Sequence, residues 1–101
     1  MVHTSISPLI RTSINSEGGR ISLKEGDEEL GYISFSLTST GVAVAEHTFV
    51  QPEHEGKGYA AMLAQAFFAL CAERRLQVRP SCSYIKAYML RHAELKAYLE
   101  E

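Results

Sequence analysis

Neither sign of charge dominates this sequence. Ten Lys and Arg residues stand against twelve Asp and Glu, for a formal net charge of −2. No diffuse positive field is therefore available to attract nucleic acid or an acidic membrane surface. Cysteine is scarce: Cys71 and Cys82 are the only two. Their separation matches no metal-ligand spacing, and their placement on different expected elements gives no disulfide framework. Such usage suits a reducing, cytoplasmic setting. No apolar run approaches the ~18 residues needed to span a bilayer. The first residues also lack a charged segment followed by an apolar one, so the sequence predicts a protein that is neither exported nor membrane-embedded. Repeats, low-complexity tracts and linkers are missing too, and the 101 residues are expected to form one domain, 1–101, around one core.

What is present is the composition of an ordinary globular chain, 46% hydrophobic and 22% charged. Residues 1–7, His3 included, carry no periodic signal and read as a loose terminus. Short β-type runs follow at Leu9 to Ile14, around Ile21 and Leu23, at Tyr32 to Leu37 and at Val42 to Val50. Turn clusters separate them at Asn15-Ser16-Glu17-Gly18-Gly19, at Gly26-Asp27-Glu28-Glu29 and at Ser39-Thr40-Gly41. Consecutive strands joined by short turns predict an antiparallel meander.

Beyond Val50 the pattern changes period. From near Lys57 a long helix is expected, with Ala60, Leu63, Phe67, Leu70 and Cys71 on its apolar face, widened by Met62, Ala66 and Ala69. Leu76 to Arg79 reads as a short strand stopped by Pro80, and a strand–helix–strand sequence predicts a parallel crossover unit. Residues 83–91 read as a short helix capped by Ser81 or Ser83, and residues 94–100 as a terminal helical turn or two. Tyr32, Phe35, Phe67 and Phe68 are core candidates. The fold class is α/β (α+β).

The stretch Gln51-Pro52-Glu53-His54-Glu55-Gly56-Lys57-Gly58-Tyr59-Ala60 lies where a strand ends and the helix begins. A helix start leaves N–H groups unpartnered and carries partial positive charge, which suits a phosphate. Gly56 and Gly58 let the backbone approach such a ligand closely, and Lys57 adds a charged donor. A helix that merely begins after a glycine turn is the plain alternative. Parallel topology would bring Pro80-Ser81-Cys82 to the same crevice, since both segments lie beyond the carboxyl ends of neighbouring strands.

These residues resemble a known family. Val50-Gln51-Pro52 followed by Glu55-Gly56-Lys57-Gly58-Tyr59-Ala60 is similar to the coenzyme A-binding loop of the GNAT N-acetyltransferase superfamily. Glu46-His47-Thr48-Phe49-Val50 before the loop, and Pro80-Ser81-Cys82-Ser83-Tyr84-Ile85 with Tyr88 and Arg91-His92 after it, resemble its small single-domain subfamily. The resemblance implies a GNAT-like mixed sheet with a splayed parallel strand, acetyl-CoA as co-substrate, and acetyl transfer to an amine. It implies that Glu55, Gly56, Lys57, Gly58, Tyr59 and Ala60 hold the pyrophosphate and that Phe49 and Val50 pair by main chain with the pantetheine arm. Cys82 is implied as the catalytic or acetyl-accepting residue. The chain departs from the family pattern at Glu55, where an Arg or Gln is usual, and at Ala93 and Leu95, where Pro and an aromatic residue are usual. A carboxylate at position 55 must point away from a phosphate.

Among individual residues, Cys82 beside an expected helix start is a candidate nucleophile, against the reading of a packed small hydrophobe. Cys71 on the apolar face reads as core. His47 is expected to share the face of Ala45 and Phe49 and is a candidate base, against a histidine bonded within its strand. His54 is a solvated loop histidine or a phosphate donor, and Lys86, Arg91 and His92 are solvated helix residues or nucleotide-phosphate contacts. Tyr84 and Tyr88 share a helical face, for packing or for stacking near the coenzyme. No metal cluster stands out. A short chain leaves the acceptor side open, which points to a protein or peptide amine, and the expected state is a monomer or weak dimer. A domain that holds coenzyme A or acyl-CoA without turnover, and a protein-interaction domain in which the glycine loop is only a turn, remain alternatives.

Overall fold

The computed structural model describes residues 8–100, so the N-terminal stretch 1–7, with His3, and Glu101 lie outside it. Five strands form one sheet in the order β1-β2-β3-β4-β5. They are β1 (Leu9–Asn15), β2 (Gly18–Glu25), β3 (Glu28–Leu37), β4 (Val42–Val50) and β5 (Gln77–Pro80). Strands β1 to β4 pair antiparallel and β5 pairs parallel to β4. Helices α1 (Tyr59–Arg74) and α2 (Ser83–Arg91) complete the domain, with 3-10 turns at Pro52–His54 and Ala93–Tyr98. The fold is α+β: a meander, a crossover helix, a splayed parallel strand and short C-terminal helices, as the sequence predicts.

The meander follows from alternation. Ile21, Leu23, Ile33, Phe35, Ala43 and Ala45 are buried on one face, while the Ser22, Tyr32 and Ser34 positions between them remain half-buried on the other. Asn15 closes the first hairpin, its side-chain oxygen accepting from the N–H groups of Glu17 and Gly18. Helix α1 packs on β2, β3 and β4, and α2 packs on β4, β5 and α1. Phe67 sits at the centre with no exposure, edge-on to both Phe35 and Phe68, and Phe68 in turn stacks on Tyr88. Gly31 is buried where β3 meets the end of β4. A Cβ there would lie 2.5 Å from the Phe49 carbonyl oxygen, so only glycine allows the strands this approach.

Several details differ from expectation. Helix α1 starts at Tyr59, two residues later than Lys57, because Gly58 takes a left-handed conformation (φ 81°) as its N-cap. Its buried face contains Ala64 and Phe68 rather than Met62 and Ala69, which are exposed, because the helix packs against α2 as well as the sheet. Ala60 is half-buried rather than part of the core. The N-cap of α2 is Cys82, without a side-chain cap bond, in place of Ser81 or Ser83. Tyr32 is not core: it lies on the open sheet face beneath the Arg20 guanidinium, 3.7 Å from its ring centre.

The largest correction concerns β4. The β3–β4 register shifts so that Phe35 faces Ala45 and Ser34 faces His47, leaving Glu46 as a bulge. Parity therefore reverses after Ala45. His47 and Phe49 do not share the buried face of Ala45; both are exposed, whereas Val50 packs on the core and Thr48 turns inward with it.

Helix α1 is capped at its C-terminal end by Arg75, a non-glycine residue in the left-handed conformation (φ 56°), with the Leu76 N–H bonded to the Cys71 carbonyl. A side chain costs on the order of 1 kcal/mol in that conformation. The substitution Arg75→Gly is expected to raise unfolding stability by about 0.5 kcal/mol, after the greater freedom of glycine in the unfolded chain is counted. Urea unfolding checks it; a lower midpoint for the variant would contradict the strain assignment.

Candidate functional site

Strand β5 accompanies β4 only from Val42 to Ala45. Past that point, from Glu46 to Val50, no described strand pairs with the side of β4 that faces β5, and a gap opens in the sheet. The two sides of the gap then lead to different structures. Strand β4 runs through the turn at Pro52–His54 into the glycine loop and α1, while β5 runs into Cys82 and α2.

The glycine loop is bare. Gly56 and Gly58 have φ near +80° and nothing within 4 Å of an added Cβ. The first helical bond of α1 is donated by the Met62 N–H to the Gly58 carbonyl, and no side chain caps the helix. The N–H groups of Gly56, Lys57, Gly58, Tyr59, Ala60 and Ala61 thus have no acceptor among the described residues. All of these residues except Lys57 line a hollow of about 180 Å³, together with Val50, His54, Glu55 and Tyr84. Tyr84 brings α2 to the same wall. Burial, aided by Tyr88 and opposed by the Arg91 charge, raises its hydroxyl above the usual tyrosine range, so it stays a neutral donor.

Most residues expected around a coenzyme therefore meet in one place. Val50, His54, Glu55, Gly56, Gly58, Tyr59 and Ala60 share the hollow. Lys57 stands at its flank, its ammonium donating to His54 Nδ1 over 3.0 Å. Since ammonium only donates, Nδ1 must be unprotonated, and Nε2–H then donates to Glu28 Oε2 at 3.2 Å. The relay Glu28–His54–Lys57 ties the β2–β3 hairpin to the loop across the 26 residues that separate Glu28 from His54, a distance over which no local pattern announces it. The oxygens of Glu28 and Glu53 and a His54 nitrogen also lie within 4.8 Å of one another, the geometry of a cation site. Both ring nitrogens of His54 are engaged, however, and the Lys57 ammonium opposes a cation at that place.

Two expected contacts lie elsewhere. Lys86 lines a separate apolar hollow with Pro80, Met89, Leu90, Lys96 and Leu99. The Phe49 side chain packs 5.7 Å from Tyr32 on the open sheet face, although its main chain lies on β4 within the gap. A larger hollow, about 350 Å³, is also on that face, among Arg11, Thr12, Ser13, Arg20, Ser22 and Lys24, far along the sheet from the glycine loop.

Cys82 sits at the closed end of the gap, only 7% exposed, with its sulfur 3.2 Å from Thr48 Oγ1. Each lies two residues from a wall of the hollow, Thr48 from Val50 and Cys82 from Tyr84. Thr48 escaped the sequence reading because only the bulge at Glu46 turns it inward. His47, next in sequence, faces the opposite side of the sheet. Arg91 and His92 lie at the far end of α2, where His92 packs on Tyr88.

A family model matches most of the chain. The model for the GCN5-related N-acetyl-transferase family covers residues 20–99. The chain belongs to that family. Within the GCN5-related N-acetyltransferases this is a small member, and the family's chemistry is acyl transfer. No curated protein matches the chain at a significant level.

Cys71 is fully buried in the core of this acetyltransferase domain, and burial raises its thiol to about 12. The sign follows: as pH rises past the ordinary thiol value, the unfolded chain releases this proton and the folded chain keeps it. Stability from this group is therefore complete below about pH 8.5 and is lost progressively as pH climbs toward 12. Iodoacetamide at pH 8 is expected to leave Cys71 unmodified in the native protein and to alkylate it in urea. Rapid native alkylation, read by mass spectrometry, would contradict its burial.

Proposed function

We propose that this domain transfers an acetyl group from acetyl-CoA to an amine, the acceptor being a protein or peptide. One observation carries the reading: the N–H groups from Gly56 to Ala61 have no acceptor among the described residues, and their loop lines a hollow that reaches Val50, the last residue of the unpaired end of β4. In this reading the loop amides and Lys57 bind the coenzyme pyrophosphate. The main chain of Phe49 and Val50 pairs with the pantetheine arm, and strand-end N–H groups stabilise the oxyanion of the tetrahedral intermediate. Glu55 is exposed, so its carboxylate can turn away from the phosphate, and its N–H is already donated to the Pro52 carbonyl, which leaves the binding to the amides that follow it.

Two groups are assigned to proton and acyl handling. His47 stands on the open sheet face, the side left free for an acceptor, and acts there as the base that deprotonates the amine. Cys82 lies at the gap and acts as an acyl acceptor in a covalent route: its thiolate attacks the thioester carbonyl, coenzyme A leaves as thiolate, and the amine then displaces the cysteine sulfur. A protonated histidine at position 54 would lose its bond from Lys57 and add charge beside the phosphates.

A second reading, a module that holds coenzyme A or acyl-CoA without turnover, is favoured by one feature. The Cys82 sulfur has the Thr48 hydroxyl as its hydrogen-bond partner and no imidazole, carboxylate or amine among the described residues.

Thermal shift with acetyl-CoA, coenzyme A and ATP side by side tests the binding. A ligand at a hundred times its Kd stabilises the fold by about 2.7 kcal/mol, on the order of 10 °C for a domain this size. Acetyl-CoA and coenzyme A are expected to give such a shift, ATP a smaller one, and Gly56→Val most of its loss. Absence of any shift with acetyl-CoA at millimolar concentration would overturn both readings. Acetylation of an amine panel separates them, and Cys82→Ala divides the routes: full activity excludes the covalent one, whereas an added acetyl mass on Cys82 supports it.

A further inference from the structure

The two edges of the sheet are finished differently. Strand β5 is short, contains Pro80, and has the C-terminal segment laid along its outer side: Val78 bridges to Leu99, the Glu100 N–H donates to the Val78 carbonyl, and Arg79 holds the Glu100 carboxylate with two bonds. Proline, shortness and a covering segment are the usual devices that stop a sheet edge from pairing further.

Among the described residues, strand β1 has none of them. It is seven residues long, follows β2 without a register shift, contains no proline, and carries one charge, Arg11. Among the described residues nothing pairs with its outer edge. Helix α1 packs mainly on β2, β3 and β4; on its side of the sheet Ile10 stays 40% exposed, and on the open side Leu9 is 66% exposed. Alternate main-chain groups of such a strand point outward without partners.

The sequence of β1, Leu-Ile-Arg-Thr-Ser-Ile-Asn, is also matched to itself. Placed antiparallel against a copy with Thr12 at the two-fold axis, Ile10 lies opposite the partner's Ile14 and Ile14 opposite the partner's Ile10. Both residues project to the helix side of the sheet, the side on which Ile14 already packs on the core. Arg11 falls opposite the partner's Ser13, so no two like charges face each other directly. A one-residue slip in either direction would set Ile10 against a polar residue, Ser13 or Asn15, and break the pairing of the two isoleucines.

We propose that two copies of this chain pair through β1, antiparallel and in the register centred on Thr12, so that their sheets join across an isologous two-fold interface. The partner is a second copy rather than another strand-forming protein because both the apolar pair and the charge placement are satisfied by the strand's own sequence. The proposal is independent of coenzyme binding: the glycine loop and the gap lie at β4, three strands away.

Sedimentation at about 5 to 500 µM, a range that brackets the micromolar affinity of a small interface, is expected to show a concentration-dependent dimer. Thr12 is exposed and its side chain contributes nothing to the core, so Thr12→Lys and Thr12→Asp should fold and, alone, be monomers by self-repulsion at the axis. Mixed one to one, they should recover the dimer, which only a register with position 12 opposite itself allows. A monomeric wild type throughout that range overturns the proposal. A dimer that persists in Thr12→Lys overturns it as well, because pairing then uses another surface.

Discussion

Beyond Ala45, β4 has main-chain groups turned toward a neighbour that has already left. A backbone N–H or C=O without a partner is tolerable only if water or a ligand meets it, so the separation of β5 from β4 creates both a need and a place. The helix that follows adds to it. Because Gly56 and Gly58 hold left-handed conformations and no side chain caps α1, the donors that a helix normally satisfies by capping stay free beside the gap. Nothing in this arrangement depends on a large cavity. It depends on an edge placed in the interior of a sheet and on donors kept unanswered.

The bulge at Glu46 gives the gap its chemistry. Without it Thr48 would face the open side with Ser34, and the Cys82 sulfur would lose its only hydrogen-bond partner among the described residues. With it, the strand divides its side chains: Thr48 and Val50 go to the helix side with Cys82, while His47 and Phe49 go to the open side with Tyr32 and Arg20. On that open side Glu29 pairs with Arg20. Burial pulls its carboxyl upward, but the Arg20 and Ser22 hydrogen bonds and the charges of Arg20 and Lys24 outweigh it and hold it below its ordinary value. The two faces of one strand thus meet different reactants in the proposed reaction, coenzyme on one and acceptor on the other.

Much of this was legible in the sequence. The strands announced themselves by alternation and turn residues, the long helix by its apolar spacing, and the loop by two glycines between a strand and a helix. The resemblance to acetyltransferases rested on those same residues, and the family match over residues 20–99 agrees with it. What could not be read was the bulge, since one extra residue in a strand leaves no composition signal, and with it went the facing of His47 and Thr48. Lys86 was equally opaque: helix α2 turns it away from the loop toward Pro80 and Leu99, and that rotation is set by how Ile85 and Met89 pack, not by charge. The Glu28–His54–Lys57 relay joins segments whose proximity only the folded β2–β3 hairpin creates.

Gly31 is the quiet determinant behind the site. Its missing side chain is what permits β3 to lie against the Phe49 carbonyl and Val50, and therefore what sets the tilt of the strand end from which the loop departs. Any larger residue would lever that end outward and carry the glycine loop with it. The width of the opening is governed, in other words, from beneath, by a position that no cofactor or acceptor could ever touch.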